Sequence, residues 1–249
     1  MKKILSLLLV LVMTCSMLLF VSCSDNDSVE TLNGKTAQEL YNEALNKVKG
    51  LTNYTMTAEQ VITVQNQTVN QTVISKVVGE DLYVKTNNDS APSANMEAWY
   101  VGEMFYAIMG GVKAKANITK EEYREKFMPE GASGSDALMN IPADWFVDTK
   151  FIQESENSYY IEFIVSGEEY LKYFKSTALA SYVDGVDDIS YKVYFDAKGN
   201  LGDIVTELDA VIEGSDTHII STSKITSIGT TTIVPPSNTD SFQDVTGMI

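Results

Sequence analysis

The stretch "ISYKVYFDAKGNLGDIVTELDAVIEG", residues 189–214, decides the fold class. Apolar and polar residues alternate through both of its arms, which is the period of a β-strand that buries one face. Between the arms, residues Ala197 to Asn200 include a glycine and an asparagine and have the length of a hairpin loop. The stretch therefore predicts two long antiparallel strands joined by a turn.

The same period of two runs through much of the remaining chain. Further strands are predicted in "YTMTAEQVITVQ" (54–65), "NQTVISKVVGEDLYVKT" (70–86, turning at Gly79 to Asp81), "EAWYVGEMFYAIM" (97–109), "WFVDTKFIQE" (145–154), "SYYIEFIVS" (158–166) and "THIISTSKITSIGT" (217–230). These strands follow one another through turns rather than through helices, which favours antiparallel pairing.

Three capping boxes mark the predicted helices. "TAQE" opens a helix from Thr36 to Lys49, "TKEE" opens one at Thr119, and "SGEE" opens one at Ser166 that continues through "YLKYFKSTALASY". A short helix is also predicted in "SDALMNI" (135–141). We expect one α+β domain over residues 36–249, in which a strongly curved antiparallel sheet wraps around a few helices.

The first 22 residues have the layout of an export signal. Lys2 and Lys3 precede a long uncharged run, and no Lys or Arg follows that run until Lys35. A retained membrane span usually has flanking charges that stop its transfer, so the sequence favours cleavage. Residues 24–35 are polar and are predicted to be a flexible tether.

Cys23 lies where the apolar run ends and the acidic tether begins. The residues before it resemble the bacterial lipobox: Ser22 suits the position before the cut, whereas Phe20 departs from the usual leucine. Cys15 is the poorer candidate, because the apolar run continues after it. The resemblance implies lipidation of Cys23 with two or three acyl chains such as palmitate, and hence an extracytoplasmic, membrane-anchored protein. The competing interpretation is an ordinary cysteine in a signal or anchor helix.

The charge of the chain excludes several partners. The net charge is −16, and loss of Lys2 and Lys3 with the signal makes it −18. Such a chain lacks the basic charge that nucleic acid requires, and anionic lipid headgroups repel it. After cleavage Cys23 is the sole cysteine, which excludes an internal disulfide and a cysteine-based metal site.

No catalytic signature emerges from the remaining residues. His218 is the only histidine, no Gly-x-Ser-x-Gly elbow is present, and we expect His218 to lie at the surface or a strand edge. Neighbouring carboxylates such as Asp187 and Asp188 leave a glycosidase or calcium site as weaker alternatives. The sequence therefore predicts neither an enzyme, nor a metal site, nor a cofactor.

Three stretches together resemble a family of bacterial lipoproteins with the LolA-like fold. They are "TAQELYNEALNKVKGLTNYTMTAEQVITV" (36–64), "YKVYFDAKGNLGDIVTELDAVI" (191–212) and "KITSIGTTTIVPPSNTDSF" (224–242). Related folds occur in outer-membrane lipoprotein carrier proteins and in mycobacterial lipid-binding lipoproteins of the LppX and LprG kind. The resemblance implies an unclosed β-barrel around helices, with an apolar cavity that receives acyl chains. An anchored chain is closer to the mycobacterial type than to the soluble carriers.

Nine apolar residues are candidates for lining such a cavity, and they could equally fill a closed core. They are Trp99, Phe105, Ile161, Phe163, Tyr191, Val193, Phe195, Leu208 and Ile212. The first functional hypothesis is a lipid-anchored protein that binds an acyl chain or another apolar ligand. The alternative is an envelope protein-interaction or assembly module with a filled core. The ligand, the protein partner, the oligomeric state and the role of the acidic surface stay open from sequence.

Overall fold

The computed structural model describes residues 31–32, 34–36, 39–41, 43, 46, 50–127, 146–155, 158–174, 183–196 and 200–247. The predicted signal peptide, Cys23, most of the tether and the predicted helix at 135–141 lie outside these residues.

The described chain consists mainly of strands. The strands are β1 (Thr31–Leu32), β2 (Lys35–Thr36), β3 (Asn53–Val64), β4 (Gln67–Val78), β5 (Asp81–Asn88), β6 (Met96–Val101), β7 (Met104–Met109), β8 (Val112–Asn117), β9 (Phe146–Ser155), β10 (Ser158–Val165), β11 (Val183–Val186), β12 (Ile189–Asp196), β13 (Leu201–Ile212), β14 (Ser215–Thr226) and β15 (Gln243–Asp244). The helices are α1 (Lys120–Phe127) and α2 (Gly167–Phe174), with short 3-10 turns at Pro92–Ala94 and Thr239–Ser241. Residues 39–41, 43 and 46 are also helical and are called the N-terminal helix below. Among the described helices, none combines the length and apolar composition of a membrane span.

Strands β3 to β15 form one sheet of thirteen strands. Its order is β15-β8-β7-β6-β5-β4-β3-β14-β13-β12-β10-β9, and β11 pairs with β13 beyond the end of β12. The sheet is curved and unclosed, which confirms the predicted α+β architecture. One parallel pair, β15 with β8, makes the sheet mixed rather than purely antiparallel.

The hairpin predicted at residues 189–214 is confirmed, and it lies two strands from the β9 edge of this sheet. Strands β12 and β13 pair antiparallel, with Ser190 opposite Glu207 and Phe195 opposite Leu201. Three of its four loop residues lie outside the described chain. The stretch at 97–109 is two strands rather than one, because Gly102 and Glu103 have positive φ angles of 55° and 65° and form a two-residue turn.

One face of the sheet is continuous from strand to strand, because the ladders from β8 to β13 keep their register. In β3, Met56, Ala58, Gln60 and Ile62 are buried on this side, and the alternate residues 57, 59 and 61 point the other way. Ile62 lies opposite Ile219, which in turn lies opposite Leu208. We call this side the inner face and the opposite side the outer face.

The main core lies on the inner face where β3, β10, β12, β13 and β14 meet two helices. Leu40 and Tyr41 of the N-terminal helix are buried there, and the Tyr41 ring lies 4.5 Å from the Phe163 ring. Tyr170 of α2 completes the cover. The predicted burial of the N-terminal helix against a sheet is therefore confirmed at Leu40.

A second core lies at the other end of the inner face, under α1. Tyr123 of α1 stacks on Tyr100, with 4.3 Å between the ring centroids. The capping box at the start of α1 is confirmed in both directions. The Thr119 hydroxyl accepts from the Glu122 amide at 3.2 Å, and the Glu122 carboxylate accepts from the Thr119 amide at 2.8 Å.

The outer face of β3 to β8 is crossed by the C-terminal segment, residues 227–242. Asn53 holds its start, donating to the Thr231 carbonyl at 3.0 Å and accepting from the Thr231 amide at 2.8 Å. Further along, Lys115 donates to the Thr239 carbonyl at 3.1 Å. Phe242 is buried and meets Tyr106 edge-on at 5.7 Å. The segment thus fastens the two ends of this half of the sheet together.

The start of α2 requires a residue without a side chain. An added Cβ at Gly167 would lie 2.3 Å from the carbonyl oxygens of both Val186 and Asp187. We predict that Gly167→Ala lowers the free energy of unfolding by about 1–3 kcal/mol, since backbone must move to relieve the overlap. Urea unfolding measures this change. Gly185→Ala is the matched control, because its nearest new neighbour, Val211, is 3.9 Å away. Equal unfolding midpoints for the two variants would contradict the prediction.

Candidate functional site

Most of the predicted cavity residues lie together on the inner face. Seven of the nine are buried members of the main core: Ile161, Phe163, Tyr191, Val193, Phe195, Leu208 and Ile212. They come from β10, β12 and β13, whose registers place Ile161 opposite Val193 and Phe163 opposite Tyr191. The alternation read from the sequence therefore brings these seven side chains onto one surface.

Trp99 is an exception, because it lies on the outer face. It pairs with Tyr83 and Tyr106, whereas its neighbour Tyr100 pairs with Phe105 on the inner face. The Trp99 ring is 5.3 Å from the Tyr83 ring, and its Nε1 donates to the Val234 carbonyl at 3.0 Å. Trp99 is buried under the C-terminal segment and does not line the interior.

Phe105 lies on the inner face but at its far end. It packs in the second core with Tyr100, Ala116 and Ile118, and its ring is 6.1 Å from that of Tyr123. The nine predicted residues thus occupy three places: seven lie in the main core, Phe105 lies in the second core of the same face, and Trp99 lies on the outer face.

A row of polar side chains crosses the middle of the inner face, and the sequence analysis did not predict it. Its members lie directly opposite one another on six neighbouring strands, from β5 to β12. This polar row consists of Asn88, Gln71, Gln60, Ser221, Thr206 and Tyr191. All six residues are buried, with exposures of 1–5 %. Apolar side chains flank the row, with Ile62 and Ile219 on one side and Ala58 and Val73 on the other.

Several atoms of the polar row have no hydrogen-bond partner. The side-chain amide of Gln71 donates from its Nε2 to the side-chain Oε1 of Gln60 at 3.0 Å. The Oε1 of Gln71 has no partner among the described residues. Asn88 accepts from the amides of Ser90 and Ala91, while its Nδ2 is unpaired. The hydroxyls of Ser221 and Tyr191 are buried without a partner. A buried polar atom that nothing satisfies costs about 1–3 kcal/mol, so the row is unfavourable as part of a closed core.

Tyrosines form the end of the row beneath the helices. Burial raises the pKa of Tyr191 well above the ordinary value for a phenol, with smaller contributions from nearby Tyr170 and Tyr41. Burial likewise raises the pKa of Tyr41. These phenols therefore stay protonated at neutral pH, and Tyr191 can donate a hydrogen bond.

A separate, acidic cleft of about 470 Å³ lies between α2, β11 and β13. Glu168, Asp187, Asp209 and Asp216 contribute carboxylates to its lining. Within the described chain, no three His, Cys, Asp or Glu side chains are grouped so that they could hold a metal ion. Asp188, the neighbouring predicted oxygen ligand, accepts a hydrogen bond from the Gly167 amide at 3.1 Å and so caps α2.

His218 lies on the outer face of β14. Its Nδ1 is 2.8 Å from the Asp209 carboxylate, and its Nε2 is 3.8 Å from that of Glu207. Its side chain is 35 % exposed. Strand β14 is paired on both sides, so His218 is at the surface, as predicted, but not at a strand edge.

Comparison with known proteins found similar solved structures at low sequence identity. No protein-family model matches the chain, and no curated protein matches it. LprF from Mycobacterium bovis superposes with a TM-score of 0.38 at 10 % identity, over 80 % of this chain and 96 % of LprF. The Mycobacterium tuberculosis lipoprotein LppX gives 0.40 at 7 % identity, over 79 % of this chain and 96 % of LppX. A DUF1329 family protein from Desulfovibrio piger gives 0.26 at 16 % identity, over 71 % and 86 %.

The buried tyrosines predict alkaline sensitivity. Unfolded tyrosines ionise near pH 10, whereas Tyr191 and Tyr41 ionise only well above that value in the folded chain. Their stabilising contribution is complete below pH 10 and is lost as the pH rises further, because the unfolded chain then releases protons that the folded chain keeps. We expect the free energy of unfolding to fall between pH 10 and 11.5, by up to about 1.4 kcal/mol per pH unit for each buried tyrosine.

Urea unfolding at pH 8, 10, 11 and 11.5, with phenolate absorbance as the second signal, measures this loss. Tyr191→Phe removes one titrating group and should make the decline with pH shallower. A decline as steep in Tyr191→Phe as in the wild type would contradict the assignment.

Proposed function

We propose that this protein is a membrane-anchored, extracytoplasmic lipoprotein that binds an acyl chain or another apolar ligand between the inner face and the helices, without catalysing a reaction. The observation that supports the proposal is the continuous inner face. Eight of the nine predicted apolar residues lie on it, beside buried polar atoms that have no hydrogen-bond partner among the described residues. A core filled by side chains alone gains nothing from such unpaired atoms, whereas a binding surface uses them.

The middle of the inner face is the best place for an apolar chain. The main core and the second core occupy its two ends, each beneath a helix. Between them the strands present the small side chains of Ala58 and Val73, with Val84 and Met96 alongside. Small side chains leave room above a sheet that large ones would fill, so a ligand here would bridge the two cores.

The anchor is the second part of the proposal. Cys23 would carry the lipid, and the tether would connect it to the sheet domain. A chain of charge −16 gains no attraction from an anionic membrane surface, so a covalent anchor supplies the attachment that charge does not.

A pair of substitutions at neighbouring positions tests the binding surface. Ala58 is buried on the inner face, and Thr57 next to it points to the outer face. We predict that full-length wild-type protein, purified in detergent, retains bound lipid in native mass spectra, and that Ala58→Leu reduces this lipid at least fivefold by filling the space. Thr57→Leu should retain the lipid.

Circular dichroism and thermal unfolding establish that both variants are folded. Wild-type protein that carries no lipid and takes up none from mixed micelles would overturn the binding function and favour an interaction module with a filled core. A folded Ala58→Leu variant with undiminished lipid would place the ligand elsewhere.

The anchor is tested by the mass of the mature chain. We predict that the membrane fraction contains a chain that begins at Cys23 and carries acyl groups, and that Cys23→Ala abolishes this acylated species. Cys15→Ala is the matched control and should leave it intact. A wild-type chain that retains residues 1–22 in the membrane would show an uncleaved span instead.

A further inference from the structure

The polar row defines which kind of head group the binding surface accepts. Its unpaired atoms comprise a donor at Asn88 Nδ2, an acceptor at Gln71 Oε1, and hydroxyls at Ser221 and Tyr191 that can do either. None of the six residues in the row is charged at neutral pH. The row therefore offers hydrogen bonds in both directions and no counter-charge.

This pattern discriminates between classes of amphiphile. A carboxylate or phosphate only accepts hydrogen bonds, so it cannot satisfy Gln71 Oε1, and its burial without a cation is strongly unfavourable. A simple ester also only accepts. A hydroxyl or an unsubstituted amide both donates and accepts hydrogen bonds without carrying charge. Such a group can therefore pair with both the donors and the acceptors of the row.

The position of the row fits a head group attached to an apolar chain. Ile62, Ile219 and Leu208 form an apolar row directly beside it, two residues along each strand on the same face. On its other side lie Val73 and Ala58. The row spans six strands, or roughly 24 Å at the usual strand spacing, so it can take more than one polar group.

We propose that the polar row selects neutral amphiphiles whose head both donates and accepts hydrogen bonds, with hydroxyl or amide groups, over fatty acids and other anionic lipids. The inference rests on the proposed binding function and deepens it. Tyr191 and Ser221 act as recognition residues, because their buried hydroxyls have no hydrogen-bond partner among the described residues. A phenol is protonated at neutral pH, so Tyr191 is able to donate.

The test compares probes that share one tail. Full-length protein is purified in a zwitterionic detergent whose head lacks hydroxyl and amide groups. It is then offered equimolar monooleoylglycerol, oleamide, oleate and methyl oleate, and the bound species are counted by native mass spectrometry. We expect monooleoylglycerol and oleamide to bind about tenfold more than oleate or methyl oleate, which corresponds to about 1.4 kcal/mol.

A double variant separates recognition from structure. Tyr191→Phe with Ser221→Ala removes two hydroxyls that pair with nothing in the protein, so its thermal unfolding midpoint should equal or exceed that of the wild type. Its preference for the hydroxyl and amide probes should fall below about threefold. Tyr106→Phe with Ser190→Ala makes the same chemical changes on the outer face and should keep the tenfold preference.

Each remaining outcome counts against the inference. Equal binding of all four probes by the wild type overturns the selection of head groups but leaves apolar binding intact. Binding of none overturns both proposals. A double variant that keeps the preference, or that unfolds at a clearly lower temperature than the wild type, would show that these hydroxyls have a structural role only.

Discussion

The inner face depends on one constraint, the unbroken register of the strands from β8 to β13. Side chains alternate strictly along a strand, so a slip of one residue in any ladder would turn the apolar residues of that strand outward. Strand β3 is held by twelve residue pairs with β4 and ten with β14. The register that aligns Ile62 with Ile219 also aligns Gln60 with Ser221, two residues away along each strand. The apolar surface and the polar row are thus two products of the same alignment.

Much of the fold could be predicted from the sequence because its causes are local. The hairpin of β12 and β13 follows from alternation in two arms around a short polar loop, and the capping box at Thr119 from two residues three positions apart. Both features form from neighbouring residues and need no knowledge of distant ones. The two-residue turn at Gly102 was missed although its glycine was visible, because the aromatic residues around it have strong strand propensity.

The faces of the strands were harder to predict, since alternation within a strand does not say which side is inner. Trp99 was assigned to the cavity from the alternation of its stretch, but the pairing of β6 with β5 and β7 places Tyr100 on the inner face instead. The polar row was missed for a related reason. Gln60 and Gln71 occupy inner positions in their strands, yet glutamine normally indicates the exposed face. Only the registers of five successive ladders show that these polar residues meet.

The pairing of β3 with β14 also determines when the chain can fold. It joins residues that are more than 150 positions apart, such as Val64 and Thr217. The second edge of β3 therefore has no partner until almost the entire polypeptide has been synthesised, and contacts of such high sequence separation form slowly. An early-emerging amino-terminal half would present unpaired strand edges rather than a finished sheet. The sheet therefore cannot be completed before β14 has emerged.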